Sequence, residues 1–175
     1  MAGTPLKNPV RKPRRKAVKA ESLWGGLHDG DLVVVDSAPL IYLLDDHPDF
    51  APAFEGVFAL QAQGVIQIAI STVAMAEVLA GPFRHRQDVL AKRYEKALSG
   101  FDVVPISQEI SVTAARIRAS AGLRLPDALQ AATALETGAV ALVTHDRDFS
   151  RLADLRVILG DTGPTQARTR CPASR

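Results

Sequence analysis

Short apolar runs alternate with longer amphipathic segments along this chain, and the alternation predicts strands followed by helices. Five runs are apolar and bounded by polar or turn-forming residues, which is typical of strands buried in a parallel sheet. They are residues 32–35, 65–70, 101–104, 139–143 and a weaker run at 156–159. Strands that alternate with helices in this way predict an α/β fold with a mainly parallel sheet.

The segments between the strands repeat apolar residues three or four positions apart, as helices do. The pattern predicts a short helix over residues 40–44 after a cap at Ser37 or Ala38, and a second helix over 50–63. Ser71 or Thr72 is a plausible cap for a helix over 73–80, which the Gly81-Pro82 pair is expected to end. Further helices are predicted over 84–99, from a Ser107 cap to residue 121, and over 126–136.

Length and composition add limits to this outline. A chain of 175 residues is expected to form one domain, and its single cysteine excludes an internal disulfide. No apolar run approaches the ~18 residues that a bilayer span requires. We therefore expect a reducing, cytoplasmic setting and no membrane association.

The charge is distributed unevenly along the chain. Residues 1–20 carry seven Lys or Arg and no acid, whereas residues 21–160 carry a net charge of −7. We predict a basic, proline-containing, disordered extension over 1–30, one domain over 31–160, and a disordered tail over 161–175. An acidic domain disfavours binding nucleic acid over a broad basic surface, but permits it where cations neutralise an acidic site.

Carboxylates occupy comparable places in the predicted fold. Asp36 directly follows the first strand, where ligands bind in open α/β sheets, and Asp146 and Asp148 follow the fourth. Glu77 lies on the helix after the second strand, and Asp127 begins the helix before the fourth. Taken singly, each has an ordinary explanation as a helix cap, a turn former or, for Glu77, a paired charge in an apolar helix.

Taken together, these carboxylates favour metal chemistry. Carboxylates held close together cannot all remain ionised without cations, and Mg²⁺ and Mn²⁺ prefer oxygen ligands. Such ions activate water for attack on a phosphodiester, so that no side-chain nucleophile is needed. Ser37 and Thr144 are then candidates to orient the carboxylates or a bound water.

Four stretches, residues 33–37, 70–81, 125–138 and 142–149, resemble the motifs of PIN-domain ribonucleases, in particular VapC-type toxins of toxin–antitoxin pairs. The resemblance covers about residues 31–160 and implies a three-layer α/β/α fold with about five strands. It also implies that Asp36, Glu77, Asp127 and Asp146 bind Mg²⁺ or Mn²⁺ and cleave RNA, with Asp148 able to share the role of Asp146. A homodimer and a cognate antitoxin partner are the further implications.

Other readings of the sequence fit less well. A dehalogenase-like phosphatase needs a second Asp where this chain has Ala38, and both it and a receiver domain need a late Lys that the chain lacks. No nucleophile elbow, zinc-ligand spacing or P-loop is present. A non-catalytic RNA- or protein-binding module of the same fold remains the alternative from a different class, and a structure-specific DNA nuclease is the alternative within the same chemistry.

Two further assignments stay open at this stage. Arg84, Arg86 and Arg147 are candidates for phosphate contacts with RNA, although each is equally well explained as a solvated surface residue. The apolar residues of 40–44 and 54–58 either face a partner protein or belong to the core.

Overall fold

The computed structural model describes residues 24–160, in which five parallel strands form one sheet covered by helices on both faces. The strands are β1 (Leu32–Val35), β2 (Gln67–Ser71), β3 (Asp102–Val104), β4 (Ala141–Thr144) and β5 (Val157–Leu159). The helices are α1 (Ser37–Leu44), α2 (Glu55–Ala62), α3 (Thr72–Arg84), α4 (Asp88–Leu98), α5 (Gln108–Ala121) and α6 (Leu125–Glu136).

The strand order places β1 at the centre of the sheet. The order is β3-β2-β1-β4-β5, so the chain builds outward from β1 in one direction and then returns to its other side with β4. Val33 to Val35 pair with Ala141 to Val143 in parallel register. The reversal of strand order therefore lies between the carboxyl ends of β1 and β4, where α/β sheets open a crevice for ligands.

Side chains of the strands alternate between two hydrophobic clusters, one on each face of the sheet. Val33 and Val35 pack with α1, α2, α3 and α4, whereas Val34 packs with α5 and α6. Because both faces are covered, the strands are apolar on both sides, which explains their unbroken apolar runs. The predicted three-layer α/β/α class with a parallel five-stranded sheet is confirmed.

The first two predicted helices differ from the observed ones for local reasons. The helix predicted over 40–44 begins at Ser37, because Asp36 itself is the cap and accepts a hydrogen bond from the Ser37 backbone N–H. The single helix predicted over 50–63 is a 3-10 turn over Ala51–Ala53 followed by α2. Phe54, with φ −120°, separates the two and is not helical.

The Gly81-Pro82 pair does not end α3, which continues to Arg84 with a buried Pro82 in its last turn. A proline removes one backbone hydrogen bond from a helix, and only Phe83 and Arg84 follow Pro82 in α3. The helix predicted to begin at residue 84 begins instead at Asp88, because Arg86 adopts a positive φ of 56° between α3 and α4.

The residues directly before β1 are part of the folded structure. Trp24–Gly26 forms a 3-10 turn and Leu27 is fully buried, so the extension predicted over 1–30 is too long at its carboxyl end. Residues 1–23 and the predicted tail lie outside the described residues.

Between residues 24 and 160, no helix combines the length and apolar character that crossing a membrane requires.

The apolar residues of α2 belong to the core. Phe54, Val57 and Phe58 are buried, and in α1 Leu40 is fully buried while Ile41, Leu43 and Leu44 are half-buried against the same cluster. Of the two readings left open by the sequence, core packing therefore holds for 54–58 and for the inner face of α1.

Candidate active site

Asp36 lies at the crevice between β1 and β4 with only 8% of its surface exposed. Both of its carboxylate oxygens are engaged. Oδ1 accepts a hydrogen bond of 2.7 Å from the Ser37 backbone N–H, and Oδ2 accepts one of 2.7 Å from the Thr144 hydroxyl. The Ser37 hydroxyl lies 3.5 Å from Oδ1, at the limit of a hydrogen bond. These contacts fix the orientation of the carboxylate.

The protein makes ionisation of Asp36 unfavourable. Burial raises the pKa of Asp36 from 3.8 to about 6, even though the bonds from Thr144 and Ser37 act in the opposite direction. The negative charges of Glu77 and Asp127 contribute smaller parts of that rise, so both acids lie within electrostatic range of Asp36. A buried carboxylate that faces other acids is the kind of group that a cation stabilises.

Thr144 connects Asp36 to the segment after β4, which carries Asp146 and Asp148. Its hydroxyl donates to Asp36 and accepts a 3.0 Å bond from the Asp146 backbone N–H. The Asp146 carboxylate in turn accepts a 2.8 Å bond from the Asp148 backbone N–H, which caps a 3-10 turn over Arg147–Arg151. Asp146 is half-buried, whereas Asp148 is exposed and pairs with Arg151 at 2.8 Å.

The other side of the edge is more open. Glu77 is exposed, because its carboxylate lies on the outer face of α3. Asp127 is half-buried near the start of α6 and pairs with Arg124 at 3.0 Å. The hydrogen bond and charge of Asp127, with the charges of Asp146 and Glu77, raise the pKa of Arg124.

Arg124 therefore lies within electrostatic range of three of the predicted acids, although it was not among the predicted site residues. Its position three residues before Asp127, at the cap of α6, was the available signal.

The three arginines predicted to contact phosphates lie at different distances along the chain from the acids. Arg147 is exposed between Asp146 and Asp148, whereas Arg84 is exposed seven residues beyond Glu77, a rise of ~10 Å along α3. Arg86 is exposed in the turn after that helix.

Gln130 is a second residue that sequence reasoning missed. It is buried on α6, and its Oε1 accepts a 2.7 Å bond from the hydroxyl of Ser71, the cap of α3. The contact ties the first turn of the helix that carries Glu77 to the helix that carries Asp127. A polar residue in the small-residue run of α6 was the only sequence signal.

The sequence matches the model of the PIN domain over residues 33–155, which contains every acid described above. The chain belongs to the PIN domain family. The predicted membership is thereby confirmed, and the matched residues run from within β1 to just before β5. A comparison with curated protein sequences finds no match.

Solved structures with the same fold include members of toxin–antitoxin complexes. A toxin–antitoxin complex from Klebsiella pneumoniae has a chain 29% identical to this PIN protein, with a TM-score of 0.58, covering 72% of this chain and 95% of that one. VapBC2 from Rickettsia felis, bound to a promoter DNA fragment, has a chain 21% identical with a TM-score of 0.63, covering 74% and 99%. The sarcin–ricin loop cleaving toxin VapC20 from Mycobacterium tuberculosis is 15% identical with a TM-score of 0.56, covering 67% and 92%.

Proposed function

We propose that this protein is a metal-dependent endoribonuclease, the toxin of a toxin–antitoxin pair that a cognate antitoxin neutralises. The observation that carries the proposal is Asp36, a buried carboxylate with a raised pKa at the crevice of a PIN domain, in electrostatic range of Glu77 and Asp127. An acidic site repels the phosphates of RNA unless cations neutralise it. Nuclease chemistry at this edge therefore requires a metal ion.

The donors at this edge suit Mg²⁺ or Mn²⁺. Among the described residues, no three His, Cys, Asp or Glu side chains gather closely enough to hold an ion by themselves. Mg²⁺ does not need such a cage, because it binds through one or two carboxylates and keeps several waters. Asp36, Glu77, Asp127 and Asp146 are the proposed ligands, some of them through the waters of the ion. When bound, the ion lowers the pKa of water and stabilises charge on the phosphodiester.

Neighbouring residues prepare the site for that role. The Thr144 hydroxyl holds Asp36 and the Asp146 backbone in a fixed relation, and the Ser37 backbone N–H fixes the second oxygen of Asp36. We favour Asp146 over Asp148 as the fourth ligand, because Asp148 is exposed and already paired with Arg151. Arg147 is the best placed of the three candidate arginines to contact a phosphate, with Arg84 and Arg86 further along the bound strand.

RNA is the proposed substrate and a second protein the proposed regulator. The relatives include a toxin–antitoxin complex and a toxin described as cleaving the sarcin–ricin loop. Single-stranded or loop RNA suits an edge between two strands, because its bases can be splayed outward. We further propose that the protein forms a homodimer and acts in the cytoplasm.

The test is cleavage of a mixed RNA pool by the purified protein with Mn²⁺, with Mg²⁺ and with EDTA, beside Asp36→Asn. We expect cleavage that requires metal and that falls at least about a hundredfold in the variant, because the site loses a metal ligand. Cleavage that persists in EDTA, or at the wild-type rate in Asp36→Asn, would remove metal catalysis by this edge. A folded protein that binds RNA and cuts none of the pool favours the non-catalytic module.

A further inference from the structure

Five aromatic rings gather beside the carboxylate edge, and the chemistry described above uses none of them. We call this group, which consists of Tyr42, His47, Phe50, Phe54 and His145, the aromatic cluster. Phe50 is its hub, with ring centroids 4.9 Å from Tyr42, 4.7 Å from His47 and 5.0 Å from His145. Phe54 lies on the core side of the group, and its ring centroid is 6.1 Å from those of both Tyr42 and His145.

The aromatic cluster adjoins the proposed site through two independent connections. His145 lies between Thr144 and Asp146 in the chain, and its Nδ1 is 2.9 Å from the Tyr42 hydroxyl. Tyr42 belongs to α1, which Asp36 caps, and the charge of Asp36 contributes with burial to raising the pKa of Tyr42. A phosphate held at the carboxylates would therefore bring its nucleoside close to these rings.

The burial of the rings separates a core part from an open part. Phe54 is 1% exposed and belongs to the core, whereas Tyr42, His47, Phe50 and His145 are only half-buried. Half-covered rings with polar edges, next to a phosphate-binding site, are the kind of surface on which unpaired bases stack.

We propose that the aromatic cluster is a nucleobase subsite, on which one unpaired base next to the scissile phosphate stacks against Phe50 and its neighbours. The proposal rests on the proposed function for its substrate class and adds to it a defined contact for one unpaired base. A base within a duplex is already stacked on both faces and cannot reach these rings. A protein side chain could also occupy the rings, but the contact with the Thr144–Asp146 segment favours the nucleotide.

The experiment compares steady-state cleavage of a short single-stranded RNA by wild type, Phe50→Leu and Phe50→Trp. Loss of the ring in Phe50→Leu is expected to raise KM about tenfold, while kcat changes by less than about twofold. Phe50→Trp keeps a stacking surface and is expected to retain the wild-type KM. Phe101→Leu is the matched control, because Phe101 is a half-buried ring that pairs with Phe58 and precedes β3, at the opposite end of the sheet.

An abasic nucleotide at the stacked position provides the second arm. It should raise KM about tenfold for wild type and cause no further loss in Phe50→Leu, because the same contact has already been removed. Losses that multiply would overturn the proposal, as would an equal effect of Phe101→Leu. A fall in kcat together with a lowered Tm in Phe50→Leu would also overturn it and indicate a packing role.

A binding measurement distinguishes failure of the subsite from failure of the proposed function. RNA that carries 2-aminopurine is titrated with Asp36→Asn protein in Mg²⁺, and stacking is read as fluorescence quenching. Phe50→Leu and Phe50→Trp are each combined with Asp36→Asn for this measurement. Quenching that Phe50→Leu abolishes and Phe50→Trp retains supports the subsite even if the wild type cuts no RNA. Binding without quenching, or quenching unchanged in Phe50→Leu, overturns the subsite even if cleavage is observed.

Discussion

The two ends of the acidic edge hold their carboxylates in opposite ways. At the β1–β4 end, Asp36 is buried, accepts a hydrogen bond through each of its two oxygens and has no cationic partner among the described residues. At the helical end, Glu77 is exposed, and Asp127 pairs with the exposed Arg124. The first end is rigid and electrostatically unsatisfied, whereas the second is solvated and already partly neutralised.

The difference indicates where a cation gains most. Moving a carboxylate out of water disfavours its charge, and neutral hydrogen-bond donors recover only part of that free energy. A metal ion at Asp36 would therefore offset the free energy lost when that carboxylate was removed from water. The same ion at Asp127 would have to displace Arg124. We infer that the buried end determines the position of the metal and that the open end adjusts its affinity.

The largest effect is expected on the free energy of unfolding of the metal-free protein, and it comes from Asp36 at the buried end. Because the pKa of Asp36 is raised from 3.8 to about 6, the folded protein binds the proton more tightly than the unfolded chain. The stability that this provides is complete below pH 4 and is lost as pH rises towards 6, a difference of about 3 kcal/mol. Asp36→Asn resembles the protonated carboxyl, so it should be more stable than wild type by about 3 kcal/mol at pH 8 and similar at pH 4.

Chemical denaturation in EDTA across that pH range measures the difference directly. Glu77→Gln is the control from the open end, because replacing an exposed carboxylate should change the free energy of unfolding by less than about 0.5 kcal/mol at any pH. If the two variants show the same pH dependence, the contrast between a buried and an open end is wrong.

The next effect is on activity and concerns the hydrogen bond to Asp36. Thr144→Val keeps the shape of the side chain but removes the hydroxyl that bonds both Asp36 and the Asp146 backbone. We expect kcat/KM for RNA to fall about 10- to 100-fold, since groups that orient metal ligands commonly have effects of this size. The acid limb of the pH profile should also move upward, because that hydroxyl lowers the pKa of Asp36.

Thr144→Ser separates orientation from packing. It retains the hydroxyl and loses a methyl group, so activity should remain close to wild type even if stability falls by about 1 kcal/mol. A loss of activity in Thr144→Ser that equals that of Thr144→Val would mean that the methyl packing matters and that the hydroxyl does not.

The contrast between the two ends also marks what the sequence could predict. The strand runs and the acids that follow β1 and β4 were found because strand ends are local features of an apolar pattern. The partners of Asp36 were only partly found. Ser37 is adjacent and Thr144 was a candidate, but the bond that joins Asp36 to Thr144 spans 108 positions and depends on the pairing of β1 with β4.

Features decided by tertiary packing were missed. The exposure of Glu77 depends on which face of α3 meets the sheet, and a short apolar helix does not reveal that face. Gly81 and Pro82 were expected to end α3, but the helix continues to Arg84 with Pro82 buried. The contact between the half-buried His145 and the Tyr42 hydroxyl spans 103 positions and forms because the fold brings α1 against the end of β4. Local propensity does not contain such contacts.

The smallest effect is expected from the open end and concerns competition for Asp127. Arg124 neutralises Asp127 in the metal-free protein through an exposed ion pair of 3.0 Å. In Arg124→Gln the carboxylate is free to bind the ion, and Mn²⁺ measured by calorimetry without RNA should bind about two- to fivefold more tightly. The gain should shrink at high salt, because surface pairs are screened.

Arg151→Gln is the matched variant, since Arg151 forms the equivalent exposed pair with Asp148. If Asp146 is the fourth ligand, freeing Asp148 leaves Mn²⁺ affinity unchanged, and only Arg124→Gln tightens binding. Tighter binding in Arg151→Gln would instead identify Asp148 as a ligand. Weaker binding in Arg124→Gln would show that this guanidinium supports the site rather than competing with the metal, and the open end would then have a structural role like that of the buried one.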